Sequence, residues 1–152
     1  MSESEELAEA GKKTSTKRWL QQIQAMSVTE KIELAATGGR EVRAVLIKDS
    51  NKQVQDAVLD SPRISDMEIV AVANSRNVSD ELLRKIAVNR QWMKNYQVRL
   101  ALVNNPKTPL PMGLKIIGTL MVADLKRLSK NKGVSSVLSA AAHRFVARKG
   151  VR

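Results

Sequence analysis

The chain contains no cysteine, a single histidine and few aromatic side chains. Without cysteine there is neither a disulfide nor a thiolate metal site, a composition suited to a reducing compartment such as the cytoplasm. One histidine, His143, leaves no paired-histidine zinc arrangement, so no metal site is expected. Trp19, Trp92, Tyr96 and Phe145 are the whole aromatic inventory. Pockets for flat cofactors are usually walled by several such rings, so no cofactor is expected, and Leu, Ile, Val, Ala and Met must build the core. No apolar run approaches the roughly 20 residues that span a bilayer. The start, Met1 to Ala10, is acidic where a secretion signal would be basic and then apolar. These absences lead to the expectation of a soluble, cytoplasmic protein with no membrane span.

What is present suits a folded domain. A length of 152 residues with 43% apolar content lies in the single-domain range and can cover a core. The net charge of +11 is unevenly placed. From Glu81 onward, fifteen Lys and Arg face only Glu81 and Asp124, a net of +13, which leaves about −2 for the rest. A half with that imbalance attracts phosphate or carboxylate surfaces, more weakly as salt screens it.

Residues 1–14 carry Glu3, Glu5, Glu6 and Glu9, then Lys12 and Lys13, with little apolar content, and read as a disordered acidic-then-basic arm. Ser15 or Thr16 can then cap a helix through Trp19, Leu20, Ile23 and Met26, whose spacing places them along one side. From Ser27 the chain repeats a simple unit of cap, short amphipathic helix and tight break. Ser27 with Glu30, Ser50 with Gln53, and Ser65 with Glu68 match the capping box. Ser79 precedes two acids that favour a first helical turn, and Thr108 precedes Pro109.

The steps between these starts are regular: 15 from Ser50 to Ser65, 14 from Ser65 to Ser79, and 29 from Ser79 to Thr108, with a missing start near Lys94. A longer register is visible as well. Asn51, Gln53, Val54, Ala57 and Pro62 recur as Asn95, Gln97, Val98, Ala101 and Pro106, each displaced by 44. Leu83, Ile86 and Asn89 recur as Leu125, Leu128 and Asn131, displaced by 42. Helices this short are marginal alone, so each stripe has to pack on its neighbours. The expected stripes are Val54, Ala57 and Val58; Ile69, Val72 and Ala73; Leu82, Leu83 and Ile86; Val98, Ala101 and Leu102; and Leu114, Ile117 and Leu120. Val134, Val137, Leu138, Ala141 and Phe145 outline a closing helix, and 149–152 is a basic tail.

The breaks Asp60-Ser61-Pro62 and Asn104-Asn105-Pro106, with the alanine-rich short helices between them, resemble HEAT-like or variant leucine-rich α-solenoids over about Ser27 to Arg148. The fold expected is all-α: one solenoid of short tandem helices over 15–148, with about 15 residues per unit and a 44-residue super-period. The chain departs from the better-known forms in having one helix per unit. The resemblance implies a binding scaffold and no particular activity.

Catalytic machinery is hard to find in the sequence, and no enzyme is expected. His143 sits in a helical context as a surface or helix-end residue. The acid pairs Asp80 with Glu81 and Glu3 with Glu5 sit at a cap and in the arm, where dipole or solvation duty accounts for them. Gly38-Gly39-Arg40 lacks the lysine context of a phosphate loop and reads as a helix break. Gly113 and Gly118 allow close helix packing.

Two clusters are the candidates for binding. Arg90, Trp92, Lys94, Tyr96 and Arg99 interleave aromatics with bases, a combination that can stack on nucleobases while cations meet phosphates; the same rings can equally fill a gap between irregular repeats. Lys126, Arg127, Lys130 and Lys132, with Arg144, Arg148, Lys149 and Arg152, form a second basic group, and a solvated basic surface explains the same residues. Lys126 and Lys130 share a helical face away from Leu125 and Leu128. The function expected is a module whose basic C-terminal half docks on nucleic acid, RNA or DNA, or on a ribonucleoprotein, through phosphates. The alternative is a protein–protein adaptor that holds an acidic protein surface.

Overall fold

The computed structural model describes residues 2–150, with side chains described outside residues 7–17. Among the described residues the chain is 71% helical and contains no strand. No helix there is long and apolar enough to cross a membrane. Two compact units divide at Pro62 and Arg63.

The N-terminal unit holds α1 (Glu3–Gln24), α2 (Val28–Thr37), α3 (Arg40–Leu46) and α4 (Lys52–Leu59). Helix α1 begins far earlier than the cap expected at Ser15 or Thr16. The Ser2 backbone N–H donates to the Glu5 carboxylate at 3.1 Å, and Glu3, Glu5 and Glu6 place negative charge where the helix dipole is positive. The arm expected over 1–14 is therefore helical from Glu3. Ser27 caps α2 as expected, its hydroxyl accepting from the Glu30 N–H at 3.2 Å. Gly38 and Gly39 separate α2 from α3, which is the break expected of them. A methyl group on Gly38 would meet the Leu34 carbonyl oxygen at 2.7 Å and Val42 Cγ1 at 2.8 Å, so the tight passage requires glycine there. Helix α4 starts at Asn51 and not at Ser50, because the Asn51 Oδ1 accepts from both Gln53 N–H (2.8 Å) and Val54 N–H (3.3 Å). Ile23, Ala35, Leu46, Val54, Val58 and Leu59 are buried, and α2 packs mainly on α4.

The C-terminal unit holds α5 (Asp66–Asn74), α6 (Asp80–Val88), α7 (Arg90–Met93), α8 (Tyr96–Asn104), α9 (Leu110–Ile117), α10 (Val122–Ser129) and α11 (Ser136–Gly150). Ser65 caps α5 in a reciprocal box with Glu68, and Ser79 caps α6. The missing start near Lys94 is Asn95, whose Oδ1 accepts from Gln97 N–H at 2.9 Å. Helix α9 begins one residue later than expected, with Pro109 at the cap and Pro111 in the first turn; the Thr108 hydroxyl makes no cap bond. Its inward stripe is Gly113, Ile116, Ile117 and, just beyond the helix, Leu120, whereas Leu114 is exposed. Gly113 takes the inward place because Leu138 of α11 fills it: a methyl there would lie 3.2 Å from Leu138 Cδ1. Gly118 is close to α11 as well, within 3.5 Å of the Phe145 ring from where its methyl would be.

Helix α5 packs on α8, and α11 lies along α10 and α9. Asn105 ties two of these layers together. Buried at 4% exposure, it donates from Nδ2 to the carbonyls of Ala73 and Ser75, each at 2.8 Å, and accepts from Lys107 N–H at 3.0 Å. The closing helix holds Leu138, Ala141 and Ala142 inward and leaves Val137 half exposed. Lys149 and Gly150 belong to α11, and the rest of the expected basic tail, Val151 and Arg152, lies outside the described residues.

Candidate nucleic-acid interface

The charge imbalance follows the division into units. Arg63–Arg152 carries 17 Lys and Arg against 5 Asp and Glu, a net of +12, and Met1–Pro62 carries 9 against 10, a net of −1. Where the five acids lie decides what the cations can do. Asp66 and Glu68 occupy the first turn of α5, and Asp80 and Glu81 the first turn of α6. There they complement helix dipoles and caps. The fifth, Asp124, is buried in the first turn of α10.

Of the first cluster, Arg90 and Lys94 are exposed, and Trp92, Tyr96 and Arg99 are half-buried. Helix α7 is one turn long, capped by Asn89, whose Oδ1 accepts from Trp92 N–H at 3.0 Å. At 100° per residue, Lys94 falls on the side of Arg90, while Trp92 points about 200° away from Arg90. The turn thus places the indole on one side and the two exposed cations on the other. Tyr96 is engaged internally. Its hydroxyl donates to Asp124 Oδ2 at 2.5 Å and accepts from the Met121 N–H at 3.1 Å. Burial raises its pKa above the ordinary tyrosine value, the bond to Asp124 adds to this, and the Met121 N–H and Arg99 act against it. Arg99 lies over the Tyr96 ring, 5.4 Å from its centre, and donates to the carbonyls of Met93 (2.7 Å) and Lys94 (3.3 Å). These two residues hold α8 against its surroundings.

The second cluster presents more open charge. On α10, Leu125 and Leu128 turn inward, which leaves Lys126, Arg127 and, at the C-cap, Lys130 on the outer side. Lys126 and Lys130 are one turn apart and exposed, as their spacing implies. Lys132 is exposed on the connection to α11. Arg127 extends into solvent with its side chain 79% exposed and donates from NH1 to Asp124 Oδ1 at 2.9 Å. On α11, Arg144 is exposed and Arg148 lies over the Phe145 ring at 5.5 Å. Lys149 reaches back to the Leu120 carbonyl at 2.9 Å. Lys126, Lys130, Lys132 and Arg144 have no carboxylate partner among the described residues.

Other chemistry is sparse. His143 is exposed on α11, and among the described residues no three His, Asp or Glu side chains gather as a metal-binding group. Sequence reasoning missed Asp124 as an organising residue, because its partner Tyr96 lies 28 residues away on another helix. It also missed a cleft of about 510 Å³ in the N-terminal unit, beside Leu20, Ile23, Leu46 and the ion pair of Lys31 with Asp49. That pair is 2.7 Å long with both side chains 14% exposed. Burial works to raise the Asp49 pKa, but the Lys31 bond, the Asn51 N–H and the Lys31 charge outweigh it, so the carboxyl stays below its ordinary value. No family model, no curated protein and no solved structure matches the chain.

Proposed function

We propose that the chain is a non-catalytic binding module whose basic C-terminal unit docks on nucleic acid, or on a ribonucleoprotein, through the phosphate backbone. The observation that carries this is the separation of charge within that unit. Its acids sit at helix starts or are buried, while Lys126, Lys130, Lys132 and Arg144 stand in solvent with no carboxylate partner among the described residues, and Arg127, bonded to Asp124, keeps its side chain 79% exposed. A cationic surface without matched carboxylates is what polyanion binding requires, since affinity comes largely from displaced counterions. The recurrence of the Asn51 helix start at Asn95 supports a solenoid arrangement of repeated helices, a scaffold type that serves binding. The absence of cysteine supports a cytoplasmic location.

The test is binding of labelled single-stranded RNA and duplex DNA across a salt series, beside the Lys126→Ala, Arg127→Ala, Lys130→Ala, Lys132→Ala quadruple variant. Binding should weaken steeply with salt, vary little with sequence, and fall in the variant. Affinity that stays flat as salt rises would sink the phosphate reading. The adaptor reading draws on one observation: Met121 and Val137, 60% and 51% exposed, lie on the same helical segments as the cations. Co-purification of one stoichiometric acidic protein, without nuclease-sensitive absorbance at 260 nm, would favour it.

A further inference from the structure

Arg127 differs from the lysines around it in being held. Its NH1 donates to Asp124 Oδ1 at 2.9 Å, yet its side chain remains 79% exposed. Asp124 in turn cannot follow a mobile partner. It is 9% exposed, and its second oxygen takes the Tyr96 hydroxyl. The phenol is itself fixed by the Met121 N–H, at the start of α10, where the Met121 side chain offers no acceptor. A chain of bonds therefore runs from α8 through a buried carboxylate to a guanidinium at the surface. A guanidinium has five N–H donors in a rigid fork, so one spent on Asp124 leaves the others for a ligand. Lys126 and Lys130 stand exposed beside it on the outer side of α10.

We propose that Tyr96 and Asp124 are positioning residues that hold Arg127 as a phosphate-gripping fork, and that Lys126, Arg127 and Lys130 together form a phosphodiester subsite for a nucleic-acid strand. This deepens, and rests on, the nucleic-acid reading above. Arginine grips a phosphate through two parallel bonds when its plane is fixed, whereas lysine acts as a point charge. Restraint before binding lowers the ordering cost at the moment of binding. The exposed lysines add charge beside the fork. The buried carboxylate orients the guanidinium from beneath and leaves the exposed side to the incoming anion.

The experiment uses the full chain and a labelled 20-nucleotide single-stranded RNA across a salt series, with Arg127→Ala, Arg127→Lys, Tyr96→Phe and the Tyr96→Phe/Arg127→Ala double variant, each checked for its thermal midpoint. Arg127→Ala should lower the slope of log affinity against log salt by about one. Arg127→Lys keeps the charge and should restore that slope, yet remain weaker than wild type by about 3- to 10-fold, because the fork is lost. Tyr96→Phe should weaken binding by a similar factor of about 3 to 10 with the slope unchanged. Added to Arg127→Ala it should cost nothing further. A purely structural tyrosine would move the midpoint but leave affinity alone, or weaken it equally in both backgrounds, and either result overturns the proposal. Full affinity in Arg127→Lys overturns it too, and does so even where Tyr96→Phe folds poorly. If the wild-type chain fails to bind the RNA at low salt, the nucleic-acid reading falls first and the subsite with it. Binding that persists while the Tyr96 and Arg127 effects simply add leaves that reading standing and removes the subsite alone.

Discussion

Gln55 and Arg99, 44 residues apart, make the same hydrogen bond. Gln55 Nε2 donates to the Asp49 carbonyl and Arg99 NH1 to the Met93 carbonyl, both at 2.7 Å, each reaching back to the residue two before its helix cap. The caps, Asn51 and Asn95, correspond as well, and so do the buried Val54 and Val98. Two different side chains thus close the same local turn at positions 44 residues apart. The short helices gain from this: a bond from the helix back to the preceding loop fixes the entry direction that nucleation alone leaves open.

The equivalence predicts that each partner can substitute for the other. Gln55→Ala and Arg99→Ala should each lower the unfolding free energy by about 1–2 kcal/mol, since each strands a part-buried carbonyl. Arg99→Gln should recover much of the loss, because glutamine makes this bond at the matching position and the buried, unpartnered Arg99 Nε disappears with the arginine. Urea unfolding followed by circular dichroism checks this. If glutamine at 99 costs as much as alanine, the two turns are not interchangeable.

How far the sequence carried the fold depended on where each signal lay. Ser27, Ser65 and Ser79 cap their helices where the pattern placed them, because a serine cap and the first-turn N–H it accepts from lie within four residues of each other. Ser50 with Gln53 matched the same pattern, but the neighbouring Asn51 has the side chain that reaches the first turn. Helix α10 starts at Met121, which cannot cap with its side chain; the acceptor for its N–H is Tyr96, far away in sequence. No local reading finds that. Leu114 looked like core by spacing, yet the inward place belongs to Gly113, since Leu138 already occupies the space a larger side chain would need. The start of α1 was legible in Ser2 and Glu5, but low apolar content outweighed it. For the candidate site, the outward placement of Lys126 and Lys130 followed from helical spacing, whereas the bond chain through Asp124 needed the tertiary arrangement of α8 and α10.

Asn105 should be among the least replaceable polar residues. Both of its Nδ2 bonds end on carbonyls, those of Ala73 and Ser75, and the side chain is 4% exposed. Asn105→Ala leaves two acceptors and the Lys107 N–H without their partner and should cost about 2–4 kcal/mol. Asn105→Asp should cost at least as much, as a carboxylate cannot donate to either carbonyl. Thermal and urea unfolding of the two variants measure this, and a loss below about 0.5 kcal/mol for both would show that water replaces the amide.

The adjacent glycines should respond in opposite ways. Gly38→Ala drives a methyl into the Leu34 carbonyl oxygen and Val42, so backbone must move, at about 1–3 kcal/mol. Gly39 has nothing within 4 Å of the added carbon and is the N-cap of α3, without a side chain to accept a hydrogen bond. Gly39→Ser should therefore be neutral or stabilising by a few tenths, up to about 0.5 kcal/mol. Equal losses in both variants would mean that the break needs flexibility and not space.

Tyr96 is the chain's one tyrosine, so the ultraviolet absorbance of phenolate ionisation reads a single site. Burial holds its pKa above the ordinary value of 10.0, the bond to Asp124 and that carboxylate's charge push the same way, and the Met121 N–H and Arg99 oppose them. A phenol that ionises less readily in the folded chain stabilises it. That contribution is complete below the unfolded pKa, near 10, and is lost as pH rises through the higher folded value. The native protein should titrate with a midpoint above that of the chain in denaturant. The difference in unfolding free energy between wild type and Tyr96→Phe should shrink over the same window. A native midpoint equal to the denatured one would mean that the hydroxyl is solvated, and the bond chain from α8 to Arg127 would lose its first link.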